Sequence, residues 1–110
     1  MNEIRFEQAA FLQEHRSEVE AVKEQFKRVI GKVISNTLVQ MANPGLIDRM
    51  IEASEFVYND DITPTSLKLI TRVIEDAQEY VGSSDFKRCE QAIRTLSALV
   101  TNTMKNEPKE

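Results

Sequence analysis

One histidine and one cysteine bound the chemistry open to this 110-residue chain. His15 is followed by Arg16, Ser17 and Glu18. A phosphorelay histidine wants a lysine and a small residue just after it on an exposed helix face, and these neighbours do not supply them. His15 therefore reads as a surface histidine. Cys89 falls on an apolar helical stripe, where a thiol behaves as a small hydrophobe. A catalytic thiolate needs a basic or histidine partner close by. Lys87 and Arg88 are adjacent in sequence but point to other helix faces.

The carboxylates offer little more. Glu75 and Glu79 lie four apart with Asp76 beside them, a solvated acidic face or a dock for a basic partner. The helical di-metal pattern needs Glu-x-x-His, which is absent, and one histidine cannot complete a zinc site of the usual kind. Asn59-Asp60-Asp61 resembles the start of a calcium loop. Ile62, Thr63, Pro64 and Thr65 then stand where the pattern needs a glycine and later acidic ligands, so the segment reads as a turn and helix cap. No glycine-rich phosphate loop and no recognisable Ser/His/Asp set is present. We expect no catalytic residue, no metal and no cofactor, and a protein that is not an enzyme.

One basic cluster stands out: Lys23, Lys27, Arg28 and Lys32. Glu20 and Glu24 are spaced to pair with Lys23 and with Lys27 or Arg28 along a helix. The cluster reads as a salt-bridged edge, with anion contact as its alternative use. Residues 46–75 invite comparison with a helix-turn-helix. The link Tyr58–Ile62 is too long, the turn glycine is missing, and the second helix is acidic.

These residues must be carried by helices. The first 42 residues hold no proline and one glycine, and they read as one long helix over about residues 3–42. Val19, Val22, Phe26, Val29 and Val33 recur at steps of three and four, with Ile30, Ile34 and Leu38 widening the stripe. The pattern weakens over Gln13–Ser17, dividing the run into Ile4–Leu12 and Val19–Met41. Asn43-Pro44-Gly45 ends it. A short helix follows over 45–57. A third, over 64–81, opens with Thr63 as cap and Pro64 in the first turn, and closes at Gly82. A fourth covers 84–105 after a serine cap, and 106–110 is a frayed tail. A link of two or three residues makes the last two helices an antiparallel hairpin.

The expectation is an all-α single domain over 1–105: a small helical bundle with one long N-terminal helix and a C-terminal antiparallel hairpin. A continuous first helix would run roughly 60 Å, longer than any other element can cover. Its excess predicts a second copy of the chain, so a dimer. Ile4, Phe6, Phe11 and Leu12 are then the candidate partner-binding residues. A segment this short is not helical alone and must be ordered by contact.

Charge and composition complete the picture. Net charge is −4, and residues 43–83 carry three basic against eight acidic side chains. That argues against broad nucleic-acid binding, which needs a positive footprint. No apolar run approaches the ~18 residues of a membrane span, and no secretory leader is visible. A lone cysteine fits a reducing compartment. The sequence thus predicts a cytoplasmic, non-catalytic protein–protein interaction module of the regulatory, adaptor or inhibitor kind. Its partners would be itself and an unidentified protein. The alternative is a dimeric nucleic-acid-associated regulator using the Lys23–Lys32 edge.

Overall fold

Val19, Val22, Phe26, Val29 and Val33 are all fully buried, and they make one face of helix α2 (Arg16–Ile34) the spine of the molecule. The structure, a computed structural model, describes residues 7–105. Within them α2 is preceded by α1 (Gln8–Glu14) and followed by α3 (Thr37–Ala42), α4 (Pro44–Tyr58), α5 (Pro64–Asp76), a 3-10 turn (Gln78–Tyr80) and α6 (Ser83–Lys105). No strand occurs among the described residues. The broadest helix–helix contact is α2 on α6. Next come α4 on α5 and α5 on α6, and then α2 on α4.

The expected long first helix is instead three helices. The first break is at His15, inside the polar run where the apolar pattern weakens. The second falls at Ser35-Asn36, where the pattern gives no warning. Asn36 leaves helical geometry (φ −86°, ψ 112°), and its side chain accepts the Leu38 amide, capping α3. Val39, six residues beyond Val33, is the next fully buried position, and six is out of phase with a helix that steps by three and four. Breaking the helix lets both valines face the core. The length mismatch that predicted a dimer disappears with it: α2, at 19 residues, is shorter than α6, at 23.

The other elements follow their sequence signals closely. Asn43 ends α3 and accepts the Leu46 amide at the start of α4. Thr63 and Ser66 form a reciprocal cap at the start of α5, each accepting the other's backbone N–H. Leu67, Ile70, Ile74 and Ala77 face the core from α5 and its end, and Phe86, Cys89, Ile93, Leu96 and Val100 from α6. Boundaries differ in detail, and α4 runs one residue further at each end than the expected 45–57. The third helix stops at Asp76 rather than 81, tightening into the 3-10 turn before Val81 extends the chain. Helix α6 starts at Ser83, so the two serines lie in its first turn rather than before it.

Candidate functional site

Asp60 ties three segments of the chain together: the end of α4, α2 and α1. It follows the end of α4, where the Asp61 amide donates to the Phe56 carbonyl at 2.9 Å and the Asp60 amide to the Val57 carbonyl at 3.4 Å. This double closure needs a left-handed residue, usually glycine, and Asp60 has φ 57°. Its carboxylate is 2.6 Å from the Lys23 ammonium and 3.2 Å from the Arg16 guanidinium, both on α2. Its carbonyl accepts Gln8 Nε2 of α1 at 2.6 Å. The Lys23 ammonium, and then Arg16, hold the Asp60 carboxyl below its usual range, and Asp60 raises Lys23 in return. The turn-and-cap reading of Asn59-Asp60-Asp61 thus holds, with a clasp to α1 and α2 that the sequence did not reveal.

This arrangement places two sets of candidates. Of the basic cluster, Lys23 is engaged by Asp60 and Glu20, Arg28 by Glu24 at 3.4 Å, and Lys32 by Asp85. Lys32 beside it holds the Asp85 carboxyl below the usual range. Lys27 is exposed and takes part in no ion pair among the described residues. An edge with most of its cations already paired is a poor collector of phosphates. Of the partner-binding candidates, Ile4 and Phe6 lie outside the described residues. Phe11 is not at a free surface: it is 2% exposed, its ring 4.8 Å from that of His15, and Leu12 is half-buried against the core. Segment α1 folds back as core because the break at His15 turns it and Gln8 fastens it to Asp60.

Cys89 is fully buried, and burial pushes its thiol up to about 12. His15 sits at the α1–α2 break, 3.5 Å from the Glu18 carboxylate. Among the described residues no cluster of histidine, cysteine and carboxylates is placed to hold a metal. No helix there is long and apolar enough to cross a membrane.

What the fold does display is apolar. Ile34 closes α2, Leu38 and Met41 lie on one face of α3, and Ile51 lies on α4; they are 39%, 69%, 79% and 45% exposed. These helices pack on one another. The corner that carries them is fixed by its own hydrogen bonds. Ser35 Oγ donates to the Gly31 carbonyl at 2.8 Å, and Gln40 Nε2 reaches back to the Ile34 carbonyl at 2.7 Å. The sequence pattern had placed Ile34 and Leu38 on the buried stripe of a continuous helix. The signal it missed is Ser35-Asn36-Thr37, three residues that favour caps over helix interiors. Single exposed apolar residues are ordinary, but a group of them on neighbouring elements is not. No known family model, curated protein or solved structure matches this chain.

Proposed function

We propose that this protein is a non-catalytic protein–protein interaction module of the regulatory or adaptor kind, and that it pairs with a second copy of itself through the α2–α3 corner. The observation that carries this is the outward display of Leu38 and Met41 on a six-residue helix pinned at both ends by asparagine caps. A rigid corner loses little conformational freedom on association. A twofold axis sets the same patch against itself, which lets an apolar face be covered without a complementary surface elsewhere. Self-association no longer rests on a long first helix, and Phe11 has no part in it.

The test is the mass in solution. Sedimentation equilibrium at micromolar concentration should give twice the protomer mass of 12.6 kDa. The double variant Leu38→Glu, Met41→Glu should give the protomer mass with unchanged helicity, because both side chains are already exposed. A wild-type protein that stays at the protomer mass refutes self-pairing. A variant that remains dimeric moves the interface away from α3.

A further inference from the structure

We infer that the groove between α5 and α6 is a docking site for an acidic amphipathic helix of a partner protein. The groove holds about 500 Å³. Its floor is apolar: Leu67, Val100 and Met104. Its α5 wall carries Lys68 and Arg72, four residues apart and both exposed. Its α6 wall is neutral, formed by Ser97 and Thr101.

The charge on that α5 wall selects the occupant. The protein carries a net −4, and its acidity is concentrated in residues 43–83, the region to which α5 belongs. Neither Lys68 nor Arg72 makes an ion pair among the described residues, which is also true of Lys27, Lys87, Arg88 and Lys105, but these two alone of the unpaired cations line the groove and its apolar floor. Two unpaired cations at helical spacing match two carboxylates at the same spacing on a facing helix. The floor then takes apolar side chains from the adjacent stripe of that helix. From Pro64 to Glu75 the groove runs about 16 Å, or three helical turns. Glu75 closes one end with the opposite sign, so the occupant is acidic along Lys68 and Arg72 and neutral or basic beyond them. This fixes the order of charge along the groove as well as its sign.

The probe is a fluorescent peptide of about 15 residues, long enough to hold some helix alone. It is built from alanine, with leucines on one stripe and glutamates beside them; a lysine-for-glutamate counterpart is the control. The full-length protein should bind the acidic peptide and shift the backbone amide resonances of Thr71, Ser97 and Thr101. It should prefer it to the basic one, although overall charge favours the reverse. Lys68→Glu with Arg72→Glu should weaken binding by about tenfold or more, since two exposed pairs turn from attraction to repulsion. If that variant loses helicity, Lys68→Gln with Arg72→Gln serves in its place, with a smaller loss expected. Binding that is unaffected by these changes, or that shifts α3 instead, overturns the inference. So does an absence of binding. The chain's own end, residues 106–110, carries two glutamates. If Glu107→Gln with Glu110→Gln tightens binding about tenfold, the tail is the occupant and the partner helix falls. The groove and the α3 corner are separate surfaces, so dimer mass and peptide affinity fail independently.

Discussion

Replacing Asp60 separates a backbone contribution from an electrostatic one at a single position. Asp60→Asn keeps a residue that tolerates the left-handed region but removes the charge facing Lys23 and Arg16. The Asp60 and Lys23 side chains are 31% and 23% exposed, so solvent screens the pairs only in part. Each such pair is worth about 0.2–1 kcal/mol, which gives a loss of about 1 kcal/mol for asparagine. Asp60→Ala adds the steric cost of an ordinary side chain at φ 57°, for about 2 kcal/mol in all. Asp60→Gly loses the pairs but relieves the backbone, and should fall near the wild type. Urea melts at low ionic strength should rank the proteins wild type and glycine first, then asparagine, then alanine. The folded carboxyl lies below its ordinary value of 3.8, so its contribution is fully present above that value and is lost as pH falls through the lowered one. The gap between wild type and asparagine should therefore be constant near neutrality and close in acid. It should also narrow in high salt. An alanine variant as stable as asparagine would refute the left-handed geometry. An asparagine variant as stable as wild type at pH 7 would show that the ion pairs to Lys23 and Arg16 contribute nothing.

Phe11→Ala should lower stability by roughly 3 kcal/mol, the cost of emptying a buried aromatic site, and leave the sedimenting mass unchanged; a dimer that dissociates without loss of stability would return Phe11 to the interface. Cys89, with its thiol pushed up to about 12, should react with disulfide reagents far more slowly in buffer than in urea; equal rates would expose it. Thr63→Ala removes the side-chain acceptor for the Ser66 amide and should cost about 1 kcal/mol, while Thr63→Ser should cost little. A Thr63→Ala melt that overlays the wild type would show that α5 starts without its cap.

The sequence was most legible where local signals and burial agree. Pro64 after Thr63 placed the start of α5, and the three-four spacing of Phe86 to Val100 chose the buried face of α6 correctly. It was least legible between Val33 and Val39. There Ile34 and Leu38 continue a helical stripe in the pattern while the chain itself breaks at Asn36 and turns them outward. Periodicity reports which positions are apolar, and only tertiary packing decides which of two competing faces is covered. The clasp at Asp60 and the groove beside Lys68 join residues far apart in sequence, and no local pattern encodes either. The basic cluster illustrates the same limit: helical spacing anticipated Glu20 and Glu24, but Asp60 and Asp85 approach from other elements.

The contact of α2 with α6 also governs the life of the chain before it is finished. About 50 residues separate the two helices, and they form the broadest junction in the molecule. During synthesis α2 emerges early with its valine face complete and nothing to cover most of it. Helices α4 and α5 can pair with each other meanwhile and α4 covers part of the spine, but the broadest contact stays open until α6 is made. Helix α6 therefore closes a seam that α2 opened about 50 residues earlier. A message cut short anywhere before it yields a polypeptide with an open apolar seam, and such a fragment is marked for degradation or aggregation by the same residues that hold the finished protein together.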